Sequence, residues 1–162
     1  MRLGKKCEAQ EEVMKLLVGA CREADKEECR DGKTPLHDGM EHKAPDEAIK
    51  LLVDADTEAV KVTAEDGKTP LHYGMKHNAP AEAIKLLVDA YPEGVKEKTV
   101  KDGRTPLHLG MKCKAPAEVI KLLVEACPEA VKEECRDGKT PLHYGMEHKA
   151  PVEAIKLLVD AY

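Results

Sequence analysis

The chain has 162 residues, of which 42% are hydrophobic and 35% charged, with four Tyr and neither Phe nor Trp. That balance excludes both a disordered polar chain and a membrane-embedded one, and it leaves Leu, Ile, Val, Ala and Met to build the core. The formal net charge of −5 argues against a nucleic-acid partner, which calls for a basic surface.

The opening Met1-Arg2-Leu3-Gly4-Lys5-Lys6 is not followed by an apolar segment, and the longest aliphatic runs are Leu-Leu-Val triplets. Neither a leader nor a membrane span is expected from them, and a cytoplasmic or otherwise intracellular chain is the expectation.

Along the chain one unit recurs. Asp-Gly-Lys/Arg-Thr-Pro-Leu-His opens at Asp31, Asp66, Asp102 and Asp137, in steps of 35, 36 and 35 residues. Each opening leads to Gly-Met, then Ala-Pro, then a Glu-x-Ile-Lys-Leu-Leu-Val type segment. Residues 1–30 hold the same unit without its opening, since Glu12-Val13-Met14-Lys15-Leu16-Leu17-Val18 matches Glu118-Val119-Ile120-Lys121-Leu122-Leu123-Val124. The expected organisation is one repeat domain over 1–162, with units 1–30, 31–65, 66–101, 102–136 and 137–162, the first and last truncated.

The unit 66–101 shows what each copy folds into. Asp66-Gly67 is a turn dipeptide. Thr69 is an N-cap and Pro70 a first helical residue, which predicts a short helix to about Met75 or Lys76. A turn over Lys76-His77-Asn78-Ala79 follows. Pro80 opens a second helix, which Glu82 favours through the helix dipole. Ala83, Ile84, Leu86, Leu87, Val88 and Ala90 make that helix apolar on more than one side, so it needs neighbours on both flanks. Pro92 stops it, and Val95 to Lys101 reads as an extended return. One pair of helices cannot bury these faces, whereas a stack can. The fold class is therefore an all-α repeat solenoid of stacked helix-turn-helix units with hairpin-like connections.

These residues resemble the ankyrin repeat over essentially the whole chain. Asp-Gly-x-Thr-Pro-Leu-His matches the family's opening, and Val/Ile-x-Lys-Leu-Leu matches the hallmark of its second helix. The resemblance implies an L-shaped helix-turn-helix unit with a hairpin, stacked into a curved array that binds other proteins. It also implies a structural role for His37, His72, His108 and His143, each bonding its Thr or adjacent backbone and tying unit to unit. The units are longer than the usual ~33 residues. Ala-Pro stands between the helices, and Tyr-Pro-Glu-Gly-Val or Cys-Pro-Glu-Ala-Val closes the unit, as in a divergent 35-residue subtype. Gly39, Gly74, Gly110 and Gly145 stand where the family prefers Ala. A helical Gly costs about 1 kcal/mol relative to Ala, so four copies call for a packing reason, such as the neighbouring Met or a close helix.

A longer period overlies the short one. Residues 1–56 and 107–162 differ at only thirteen positions. Five of the changes make the N-terminal copy more polar: Arg22, Asp25, Asp38, Asp46 and Asp56 against Pro128, Val131, Tyr144, Val152 and Tyr162. This reads as a solubilised end and as an array trimmed, edited or engineered from a longer one. At the other end Tyr144, Val152 and Tyr162 are candidates for self-association, in a homodimer through the C-terminal repeat or by stacking on a further unit.

Candidate chemistry is sparse. The second column of titratable residues is His42, His77, Cys113 and His148, with Cys7 in phase. A residue five positions along a helix does not share a face with the first, and equivalent residues of stacked helices lie on the order of 10 Å apart, whereas metal ligands sit near 2 Å from the ion. The six Cys (Cys7, Cys21, Cys29, Cys113, Cys127 and Cys135) contain no Cys-x-x-Cys, and reduced thiols are expected, with Cys21–Cys29 and Cys127–Cys135 as conceivable bridges. Gly-Lys-Thr at 32–34, 67–69 and 138–140 lacks the preceding Gly of a phosphate loop, since Glu27, Val62 and Glu133 stand there. The chain has no Ser. No catalytic, cofactor-binding or metal-ligating residue is assigned.

The leading expectation is therefore a non-enzymatic scaffold for an unidentified protein partner, without cofactor, or an engineered array with no evolved ligand. A metal- or redox-responsive protein using the His and Cys columns is the alternative. Residues that vary between units are the candidate partner-binding positions: Glu41, Glu65, Lys76, Lys98, Val100, Lys101, Lys112, Arg136 and Glu147.

Overall fold

A computed structural model of the chain describes residues 31–162. The unit expected over 1–30, with Cys7, Cys21, Cys29, Arg22 and Asp25, lies outside the described residues.

Four units follow one another. The first is α1 (Pro35–Glu41), α2 (Asp46–Ala55) and a 3₁₀ turn η1 (Thr57–Lys61). The second is α3 (Pro70–His77), α4 (Ala81–Ala90) and η2 (Pro92–Lys96), and the third α5 (Pro106–Lys112), α6 (Ala117–Ala126) and η3 (Pro128–Lys132). The fourth is α7 (Pro141–His148) and α8 (Val152–Ala161). No strand occurs among the described residues. The first helices pack in a row, α1 on α3 on α5 on α7, and the second helices form a parallel row, α2 on α4 on α6 on α8. This is an all-α repeat solenoid whose core lies between the two rows.

Local chemistry sets the element ends. Each first helix starts on its Thr with Pro at the first helical position. It ends in a left-handed residue, Lys43, Asn78, Lys114 or Lys149. The next amide then bonds back to the helical Gly, as Ala79 N–H does to the Gly74 carbonyl at 2.9 Å. The return differs from the extended segment expected over Val95 to Lys101. Its first part is the 3₁₀ turn Pro92–Lys96, which buries Val95 completely. Proline causes this: its preset φ and missing N–H stop α4 yet suit the first position of a tight turn. In the first unit Thr57 stands in place of that proline, and the Asp56 carboxylate caps the turn by accepting the Glu58 amide at 3.0 Å.

The core repeats with the sequence. Leu36, Leu71 and Leu107, then Met40, Met75 and Met111, then Ile49, Ile84 and Ile120 are all buried. The methionines explain the helical glycines. A Cβ on Gly74 would lie 2.5 Å from Met40 Cε and 2.6 Å from Ile84 Cδ1. A Cβ on Gly145 would lie 2.5 Å from Met111 Cε. Gly110 would press on Met75 Cε and stand 3.0 Å from Ile120 Cδ1. The Met of one unit thus occupies the notch made by the Gly of the next.

Histidine supplies the second tie between units. At Thr69-Pro70-Leu71-His72, the Thr69 amide donates to His72 Nδ1 at 3.2 Å, and the Thr69 hydroxyl lies 2.8 Å from the same nitrogen. An amide can only donate, so Nδ1 accepts and Nε2 carries the proton. His72 Nε2–H then donates to the Arg104 carbonyl of the following unit at 3.1 Å. His37 reaches the Lys68 carbonyl at 3.1 Å and His108 the Lys139 carbonyl at 2.9 Å in the same way. Protonation would set an N–H against the Thr amide. Burial is the main force against it, and it pushes His72 down to about 4 and lowers His37 and His108.

Two predictions follow from these ties. An unfolded His binds its proton near pH 6.5 and the folded ones only at lower pH, so the unfolded chain holds more protons in between. Stability should be full above pH ~6.5 and fall as the pH drops toward 4, with His72 alone contributing about 3 kcal/mol to the loss. Urea midpoints at pH 7 and pH 5 test this, and equal midpoints would contradict it. Gly110→Ala should destabilise by ~1–2 kcal/mol in spite of the better helix propensity of Ala. Met75→Ala in the same chain should make the cost of the Gly110 change smaller, which a double-mutant cycle of unfolding free energies reads.

Candidate binding groove

Between the two rows of helices and the next Thr cap, each unit projects a finger. Glycine makes its bend: Gly67, Gly103 and Gly138 have φ of +72°, +65° and +69°. Two of the fingers close alike. The Gly67 amide bonds the Ala64 carbonyl at 2.8 Å and the Gly138 amide the Cys135 carbonyl at 2.9 Å. They also join neighbouring units, through Glu65 N–H to the Asp31 carbonyl and Arg136 N–H to the Asp102 carbonyl, both at 3.1 Å. The middle finger carries the additional residue of the 36-residue step. There the Gly103 amide bonds the Thr99 carbonyl, one residue further back, at 2.9 Å. The wider turn leaves Val100 68% exposed.

This finger walls a groove of 520 Å³. Five of the variable residues singled out from the sequence line it together: Glu65, Lys76, Val100, Lys101 and Lys112. Also lining it are Thr99, of the same variable return as Val100 and Lys101, and Asp66, Lys68, Asp102, Arg104, Leu109 and Cys113, which unit-to-unit variation had not marked as partner-binding. The lining carries five basic and three acidic side chains around an apolar floor.

The floor differs between units. In α3 and α7 the equivalent positions hold Tyr73 with His77 and Tyr144 with His148, stacked at centroid distances of 6.2 and 5.9 Å. Each Tyr also meets the edge of the preceding unit's His, Tyr73 on His37 at 5.4 Å and Tyr144 on His108 at 5.5 Å. Tyr73 donates to Asp66 at 3.1 Å, and its phenol is pushed up to about 12 by burial and by that carboxylate. Asp66 is partly desolvated, which opposes ionisation, but hydrogen bonds from Lys68 and Tyr73 hold it below the usual range. At α5 the pair is Leu109 and, at the C-cap, Cys113. Both are smaller, and the space above them is open. The signal was present in the sequence as Asp38, Tyr73, Leu109 and Tyr144 at one phase.

The remaining candidates are placed elsewhere. Glu41 and Glu147 are held in ion pairs with Lys33 and Lys139 of their own units, each at 2.7 Å, and those hydrogen bonds lower both carboxyls. Lys98 turns to the following unit, to Glu133 at 2.8 Å and the Glu134 carbonyl at 3.1 Å. Arg136 is exposed on the next finger.

At the C-terminal end, Val152 and Tyr162 are 74% and 62% exposed. Tyr144 differs from expectation: it is buried, faces back to His108, and accepts from Arg104 Nε at 2.9 Å. Its polar counterpart Asp38 marked the position as variable, not as terminal. Met146 and Val159 belong to the exposed face instead. Met146 repeats Met40, Met75 and Met111, and Val159 repeats the buried Val53 and Val88, so this face has the composition of an interface between units.

Among the described residues the His and Cys columns do not converge. His42 Nδ1 lies 3.0 Å from its own helix's Asp38 carbonyl, and His77 and His148 lie on tyrosines. Cys113, Cys127 and Cys135 are free thiols, so Cys127 and Cys135 are not bridged, and burial pushes the Cys113 thiol up. No three His, Cys, Asp or Glu side chains gather as metal ligands among the described residues. None of the described helices is long and apolar enough to cross a membrane.

Comparison with curated proteins finds none that matches. The family described as ankyrin repeats (3 copies) matches residues 5–96, 39–128 and 76–162, so its three overlapping matches run the length of the stacked units. With its Thr-capped first helices, second-helix row and glycine-bent fingers, the chain belongs to the ankyrin-repeat family.

Proposed function

We propose that the chain is a non-enzymatic scaffold that binds a protein partner in the groove beneath the middle finger. The observation that carries this reading is the exposed Val100 beside an apolar floor inside a ring of charged side chains. An apolar centre with a polar rim is the anatomy of a protein interface. Lys76, Lys101 and Lys112 stand exposed around it and favour a partner with acidic side chains. The free cysteines suit an intracellular compartment. The near-duplication of 1–56 in 107–162 supports an edited or engineered array.

Lys76→Glu with Lys112→Glu should weaken partner capture at least about tenfold, roughly 1.4 kcal/mol. Lys121→Glu, on the exposed side of α6, should not. Crosslinking from position 100 followed by identification of the adduct tests the reading, and equal capture by both variants would refute it.

Met146, Val152, Val159 and Tyr162 favour a second association, a homodimer through the C-terminal repeat. Sedimentation across a concentration series should show the dimer. Met146→Glu with Val159→Glu should shift it to a single chain, and a monomer at all concentrations for the unaltered protein would exclude it.

A further inference from the structure

The groove under the middle finger has the surroundings of a tyrosine without the tyrosine. Tyr73 shows what that environment consists of. The preceding unit's Lys33 lies 5.1 Å from its ring centroid and its own Lys68 5.9 Å, while Asp66 accepts from its hydroxyl. Tyr144 repeats the two cations, with Arg104 at 5.2 Å and Lys139 at 5.9 Å, while its hydroxyl accepts from Arg104. Moved to Leu109, the same positions are Lys68, Arg104, Asp102 and, in place of the stacked histidine, Cys113. All four line the groove, with Leu109 itself as floor. Two units fill this space from their own sequence, and the third leaves it open.

We infer that this space is a slot for a tyrosine side chain presented by an acidic segment of a protein partner. The ring lies over Leu109 between Lys68 and Arg104, where a π face is attracted to the cations. Its hydroxyl points toward Asp102, as that of Tyr73 does toward Asp66. An unmodified hydroxyl fits there, because a phosphate would meet the carboxylate. The side chains flanking the tyrosine meet Lys76 and Lys112 at the rim, which selects acidic neighbours. The inference rests on the groove's being the partner surface, and it names the anchor that surface takes.

The test uses the whole chain with methyl-labelled Leu, Val and Met, and three synthetic peptides, Glu-Glu-Tyr-Glu-Glu, Glu-Glu-Leu-Glu-Glu and Glu-Glu-phosphotyrosine-Glu-Glu. The tyrosine peptide should shift the Leu109 and Val100 methyl signals saturably. The other two should bind at least about tenfold more weakly, the size of one ring's contribution. Leu109→Tyr with Cys113→His places the pair of the neighbouring units in the slot. That variant should melt at a higher temperature and lose the tyrosine-peptide shifts. Equal binding of tyrosine and leucine peptides, tighter binding of the phosphorylated one, no shift at Leu109, or a lower melting temperature of the filled variant would each overturn the inference. A filled variant that still crosslinks its partner from position 100 removes the slot while leaving the scaffold reading intact. Loss of capture on charge reversal at Lys76 and Lys112 reports on that reading separately.

Discussion

The imidazole of the first three Thr-Pro-Leu-His openings, at His37, His72 and His108, lies where two demands meet. Its Nδ1 satisfies the amide that would otherwise be unpaired at the start of the first helix, and its Nε2–H satisfies a carbonyl of the next unit's finger. A buried polar group without a partner costs about 1–3 kcal/mol, and each ring removes such a cost at the Thr amide, while the carbonyl it reaches also accepts a backbone amide, as that of Arg104 does from Thr99 at 2.9 Å. The ring can do this only in its neutral form with the proton on Nε2. The geometry of finger, cap and helix in successive units is therefore set by one tautomer. Thr at the cap and Pro after it are parts of the same device, since they fix where the helix begins relative to the ring.

Packing completes the register. The methionine of one unit enters the space that glycine leaves in the next, which holds the first helices close. Helices that approach so closely draw the fingers together, and the groove forms between two of them. The proposed binding groove is thus a by-product of how units are joined, modified where a finger is longer and a floor residue smaller.

Much of this was legible in the amino acids. The phase of Asp-Gly, Thr-Pro and Ala-Pro marks the turn, the cap and the second helix, because each relies on backbone geometry that few residues provide. The helical glycines pointed to a close neighbour, and the structure identifies it as the preceding unit's Met. Two features were not legible. The 3₁₀ turns after α4 and α6 were hidden because Pro92 and Pro128 both end one element and begin another, and a single residue cannot say which dominates. The burial of Tyr144 was hidden because comparison between copies reports change, not direction: Asp38 and Tyr144 differ in polarity, and that difference does not say that Tyr144 turns back toward His108 of the preceding unit. The groove needed two separate deviations read together, the 36-residue step and the Leu109–Cys113 pair.

The additional residue in the middle finger has a further meaning. The helices on either side, α4 and α6, keep their stacking because their contacts are made without that finger. Change in length is absorbed at the tip, and nothing downstream is displaced. An architecture with that separation can lengthen one finger, or several, and acquire differently shaped recesses while its spine stays as it was. Diversity of recognition then requires insertions of single residues rather than the remaking of a core.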